Sequence, residues 1–94
     1  MSSQVCMSRS ACRSGHVLSQ DDGGDAVLLD LAGERYFGLN KVGTRVWQLL
    51  EHRTSLQEVH RVLCAEFDAP SDRIERDLLA LVEQLHAAGL ITLE

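Results

Sequence analysis

The stretch "ERYFGLNKVGTRVW", residues 34–47, changes period in its middle. Tyr36-Phe37-Gly38-Leu39 reads as a short aromatic strand. From Val42 onward the apolar residues Val42, Val46, Leu49 and Leu50, with Trp47 beside them, fall at helical spacing. Asn40 stands at the junction, where its side-chain oxygen suits an N-cap. A strand that runs straight into a helix has no following strand to pair with. Residues 35–40 are therefore expected at the edge of a sheet.

The residues upstream supply that sheet. "AVLLDL", 26–31, places Val27, Leu29 and Leu31 on one face and Ala26, Leu28 and Asp30 on the other. "VLSQD", 17–21, is a further short strand. "DDGGD" between these two is a hairpin signal, and "AGE", 32–34, is a second tight turn. Short turns between three strands predict an antiparallel meander.

Downstream, the first helix is expected to end near Arg53. Ser55 and Glu58 have capping-box spacing and open a second helix with a stripe of Leu56, Val59, Leu63 and Phe67. Pro70 disfavours a helical Ala69 and ends it. A third helix is predicted from about Ser71 to Ala88, with Ile74, Leu78, Leu81 and Leu85 as its core stripe and Gly89 as its stop. "LITLE", 90–94, adds a short terminal strand. The expected fold class is α+β: a winged helix-turn-helix-like domain with a three-stranded antiparallel sheet first and three helices after it, over residues 16–94. Residues 1–15 are expected to form a flexible N-terminal tail.

Ninety-four residues make one domain with a modest core. The net charge is −5, and it is uneven. Residues 1–16 carry Arg9, Arg13 and no acid, so the rest holds seven Lys/Arg against fourteen acids. That balance argues against a phosphate-binding surface. The helices agree: Arg61 faces Glu58 and Glu66, and Arg73 and Arg76 face Asp72, Glu75, Asp77 and Glu83. A DNA-binding regulator is disfavoured despite the architecture. No apolar run reaches the roughly 18 residues of a membrane span, and the N-terminus lacks the apolar centre of a secretory signal. Three cysteines at irregular spacing, Cys6, Cys12 and Cys64, suit a reduced cytoplasmic setting better than a disulfide framework. Cys6, Cys12 and His16 match no common zinc spacing, so no metal is expected.

No catalytic constellation is visible. The chain has no glycine-rich phosphate loop and no His-Glu-x-x-His, and its histidines 16, 52, 60 and 86 are scattered. An enzyme is not expected, nor a cofactor. The edge strand remains. An unpaired strand exposes backbone donors and acceptors, and an extended peptide can add there. On a helical wheel Val82 and Leu79 make an apolar shoulder beside the third helix's stripe, with Glu75 and His86 near them. The candidate peptide-binding set is thus Arg35, Tyr36, Phe37, Gly38 and Leu39 on the strand and Glu75, Leu78, Leu79, Val82 and His86 on the helix. The opposite shoulder, near Asp77 and Ala88, is the alternative wall. The bland reading stays open at this point, since a Tyr/Phe edge strand and a surface leucine are commonly packing alone.

The segments "AVLLDLAGERYFGLNKVGTRVWQLL", "TSLQEVHRVLCAEFDAP" and "RDLLALVEQLHAAGLI" together closely resemble the PqqD-like family of leader-peptide recognition domains. The pieces that carry the resemblance are Tyr36 to Asn40, Gly43, Trp47, Asp77 and Gly89-Leu90-Ile91. Within the family the chain is most similar to the stand-alone recognition proteins of split lasso-peptide systems. The resemblance implies that a precursor's leader binds as an added strand beside the third strand, against the third helix. It implies no catalysis by this chain, and partners in a separate leader peptidase (a cysteine protease) and a cyclase of the same pathway. A PqqD-like partner of a radical-SAM or other modifying enzyme is the alternative that shares the same site.

Overall fold

The computed structural model describes residues 7–22 and 25–94. The meander is present as β2 (Val17–Asp22), β3 (Asp25–Asp30) and β4 (Arg35–Gly38), in that order across the sheet. Val17 pairs with Asp30 in the first hairpin, and Leu28 with Phe37 in the second. The Gly23-Gly24 turn expected between β2 and β3 lies outside the described residues. So does Cys6.

The second turn is built by one carboxylate. Asp30 Oδ1 accepts from the Ala32 and Gly33 N–H groups at 3.1 and 3.2 Å. The chain approaches so closely that a Cβ on Gly33 would meet Asp30 Oδ2 at 2.8 Å. Glu34 completes the turn at φ +54°, in the left-handed region.

Three helices follow: α1 (Lys41–Leu49), α2 (Leu56–Glu66) and α3 (Ser71–Ala87). Asn40 caps α1 by accepting from Gly43 N–H at 2.8 Å. Ser55 caps α2 by accepting from Glu58 N–H at 3.2 Å, while the Glu58 carboxylate turns outward to Arg61. α3 ends in a Schellman motif. Leu90 N–H donates to Leu85 O, Gly89 N–H donates to His86 O, and Gly89 takes φ +76°. Leu85 and Leu90 are both buried there. α1 is shorter than expected, stopping at Leu49 because residues 54–55 are needed elsewhere.

Those residues belong to a second sheet that the sequence did not announce. β1 (Ser10–Arg13) lies between β5 (Thr54–Ser55) and β6 (Ile91–Leu93), antiparallel to both. The flexible tail expected over residues 1–15 is thus corrected for residues 10–13, which form a paired strand; residues 1–6 lie outside the described residues. Ala11 is wholly buried. Arg13 holds the strand to α1: its Nε donates to Trp47 O at 2.8 Å and its guanidinium lies 4.9 Å from the Trp47 ring centre.

The core runs through all these elements: Leu28 from the meander, Val46, Trp47 and Leu50 from α1, Leu56, Val59 and Leu63 from α2, and Ile74, Leu78, Val82 and Leu85 from α3. Val82 has no exposed surface, whereas Leu81 is only half-buried. The stripe of α3 is rotated toward Val82 because the helix packs on β6 as well as on α2.

Candidate functional site

β4 pairs with β3 on one side only. Leu39 N–H donates to Ala26 O at 2.8 Å, which marks those two as a hydrogen-bonded pair. Bonded and non-bonded pairs alternate along an antiparallel ladder. Phe37 and Arg35 therefore direct their backbone groups at β3, and Tyr36 and Gly38 direct theirs outward. The open edge offers the N–H and C=O of Tyr36 and of Gly38.

The side chains of β4 alternate the other way. Phe37 and Arg35 face the helices; Tyr36 faces away and is 77% exposed. Beside Phe37 lies a cavity of about 240 Å³ lined by Asp30, Arg35, Tyr36, Phe37, Ala88 and Leu90. Its floor is apolar and one wall is charged. Arg35 Nη2 spans that wall, 3.2 Å from Asp30 Oδ2 and 3.1 Å from the Ala88 carbonyl at the end of α3. A cation there also complements the negative end of the helix. The Gly33 N–H bond, then Arg35, Ala32 N–H and nearby His16, hold the Asp30 carboxyl below its usual range, against the opposing effect of burial.

A second hollow of about 290 Å³ lies at the other end of α3, where Val42 from α1 meets Ile74 and Asp77. Residues 74, 77, 81, 84 and 88 are spaced by alternating threes and fours, so they form one line along α3. The two hollows thus terminate a single strip, with half-buried Leu81 between them.

This geometry sorts the expected residues. Arg35, Tyr36 and Phe37 surround the first cavity, Gly38 lies on the open edge, and Leu39 is buried. Leu78 and Val82 are core residues, 1% and 0% exposed. Glu75 and His86 are exposed and Leu79 is half-buried, but these three lie on the far side of α3; at about 100° per residue Leu79 is roughly 180° from Ala88. The structure instead brings Ala88, Leu90 and Asp30 to β4. The alternative shoulder, near Asp77 and Ala88, borders the two hollows described above.

The profile of the family described as coenzyme PQQ synthesis protein D (PqqD) matches residues 25–91. The chain belongs to the PqqD family. Its curated relatives in the PqqD family include the PqqA binding protein of Xanthomonas axonopodis pv. citri (strain 306), 38% identical over 86 residues that cover 92% of each chain. The PqqA binding protein of Xanthomonas campestris pv. campestris (strain 8004) is 36% identical over 90 residues, 93% of this chain and 97% of the relative. Among solved structures, TbiB1 in complex with the TbiA(beta) leader peptide superposes with a TM-score of 0.78 at 35% identity, covering 85% of this chain and 93% of that one. Lasso peptide synthetase B1 complexed with the leader peptide superposes with a TM-score of 0.74 at 26% identity, covering 87% and 96%. The PqqD-family fold, a meander followed by three helices, is common to these structures and to this chain.

Proposed function

We propose that this protein binds the leader of a ribosomally made precursor, of the lasso-peptide kind, as an added strand on β4. The observation that carries the reading is the open Tyr36/Gly38 edge beside an apolar cavity, in a chain similar over most of its length to structures solved with leader peptides. Two donors and two acceptors would pair with the leader backbone, each bond worth about 0.5–1.5 kcal/mol net. The cavity under Phe37 and the strip 74–77–81–88 would take alternate leader side chains and give specificity.

In this reading the chain performs no chemistry. It fixes the leader in one register and delivers the precursor to a separate leader peptidase, and then to a cyclase, so that cleavage becomes effectively intramolecular. Arg35, Tyr36, Phe37 and Gly38 keep their proposed role, with Ala88 and Leu90 as the facing wall. A reduced, cytoplasmic setting fits Cys12 and Cys64, neither of which is in a disulfide. Similarity to PqqA binding proteins supports a second reading at the same site: a leader chaperone for a radical-SAM or other modifying enzyme.

Two measurements test the proposal together. Calorimetric titration with the leader encoded beside this gene is expected to give a Kd of about micromolar or tighter. Amide exchange should then show the Tyr36 and Gly38 N–H groups newly protected. No heat at high concentration defeats the proposal; binding without that protection moves the leader off β4.

A further inference from the structure

His60 and Cys64 stand one turn apart on the same face of α2, and Ser71, the first residue of α3, closes against them. Three contacts meet at one imidazole nitrogen. His60 Nε2 lies 3.4 Å from Cys64 Sγ, 3.4 Å from Ser71 Oγ and 2.9 Å from the Ser71 carbonyl, to which it donates. Tying α2 to α3 needs only the carbonyl; the thiol and the hydroxyl are additional. Cys64 is free and half-buried, His60 is half-buried and Ser71 is exposed, so the group is reachable from solvent. None of the three lines the cavity under Phe37 or the hollow at Ile74. The expectation of no metal rested on Cys6, Cys12 and His16, in another part of the chain.

The spacing is that of ligands on one ion. Tetrahedral zinc, with Zn–S of about 2.3 Å and Zn–N of about 2.0 Å, holds its sulfur and nitrogen about 3.5 Å apart, and an imidazole nitrogen and an oxygen about 3.3 Å apart. The two 3.4 Å separations at His60 Nε2 match both edges of that tetrahedron. Thiolate with imidazole is also a ligand pair that suits zinc, whereas magnesium and calcium take oxygen. No group of three or more His, Cys, Asp or Glu is assembled among the described residues, so the other positions fall to Ser71 Oγ and water. Such a centre is open and exchangeable, unlike the closed four-ligand sites on which small domains depend to fold.

We infer that His60 and Cys64, with Ser71 Oγ, form a zinc(II) site at the junction of α2 and α3. The ion takes the place of the thiol proton, which is released to solvent, and the imidazole keeps its one proton on Nδ1. One Zn–S bond and one Zn–N bond form, and no electron is transferred. The hydrogen bond from Nε2 to the Ser71 carbonyl is given up, and the metal replaces it as the tie between the helices. An ion held only by the folded arrangement stabilises it by mass action.

The test uses the full chain, reduced and stripped of metal with a chelator, titrated with Co(II) as a spectroscopic stand-in and then with Zn(II). Wild type is expected to develop the near-ultraviolet charge-transfer band of a cobalt–thiolate bond, saturating at one ion per chain, and to lose it to micromolar zinc. Cys64→Ala should abolish the band although Cys6 and Cys12 remain. His60→Gln should weaken zinc binding about tenfold or more, since even a group behind a ligand is worth that much. Excess zinc should raise the melting temperature of wild type by a few degrees and that of neither variant. Metal-free melting curves show whether each variant is folded. A wild type without the band overturns the inference. So does a band that survives Cys64→Ala, which places the ion at Cys6 or Cys12. A band lost with Cys64 but an affinity untouched by His60→Gln leaves a single thiolate and overturns it too. If Cys64→Ala does not fold, His60→Gln alone decides.

Discussion

Thr44 Oγ1 accepts a hydrogen bond from the Ala26 N–H at 2.8 Å, tying α1 to the start of β3. Thr44 is buried. The Ala26 carbonyl, on the same residue, accepts from Leu39 N–H and so sets the end of β4. One hydroxyl thus fixes the residue on which the edge strand's register depends. Thr44→Val keeps the shape and strands a buried donor. It should destabilise the fold by about 1–3 kcal/mol in chemical denaturation, and a neutral result would mean that solvent reaches the Ala26 N–H.

The side of α3 that faces β4 can be separated from the far side by substitution. Ala88→Leu fills the cavity under Phe37 with little change in the fold. It should weaken leader binding about tenfold, the scale of one well-packed side chain at a contact centre. Leu79→Ser is the counterpart: it should destabilise the fold by about 1–2 kcal/mol through lost packing, read as a lower melting temperature, and leave leader affinity within about twofold. The reverse pattern would put the groove on the Leu79 side.

The acid sensitivity of the fold should trace to Asp30. Its hydrogen bonds from Gly33, Arg35 and Ala32 hold the folded-state pKa below the unfolded value. The stability this gives is complete above the unfolded value, about pH 3.9, and is lost as pH falls through the lower folded value. Asp30→Asn should therefore be less stable than wild type at neutral pH. The gap in melting temperature should shrink as the pH is taken below about 4. A gap that widens in acid would show that the carboxylate is not what the turn depends on.

At the end of α3, Gly89 holds a conformation that L side chains resist. Gly89→Ala should cost about 1–2 kcal/mol, read as a lower melting temperature. Since the Schellman motif places Ala88 and Leu90, leader affinity should fall as well.

Duplex DNA should not bind at physiological salt. Arg45, Arg61 and Arg73 each pair with a carboxylate, Glu66, Glu58 and Asp77 respectively. Phosphates would have to displace those partners on a chain of net charge −5. A salt-sensitive gel shift on random duplex would contradict this.

How much of this was legible in the sequence depended on the range of the interactions. Asn40, Ser55, Pro70 and Gly89 act on residues within a few positions, and the helix boundaries they mark are close to those found. The meander is equally local. β1 was not legible, because its four residues bury one alanine and take their backbone partners from residues 54–55 and 91–93. The rotation of α3 was not legible either. A helix read by itself shows Leu81 in its stripe; a helix covered by β6 as well as α2 buries Val82 instead. Ala88 entered the sequence reading only as part of the alternative wall near Asp77, and Leu90 only through the resemblance.

The pairing of Ser10 with Glu94 has a practical meaning. Ser10 N–H donates to Glu94 O and Glu94 N–H donates to Ser10 O, at 3.2 and 2.9 Å. The first and last strands of the described residues therefore lie side by side. A unit with that geometry can be spliced into a surface loop of a larger protein, or permuted by joining its ends, with little strain on either host or guest. A domain built this way is transplantable as a unit.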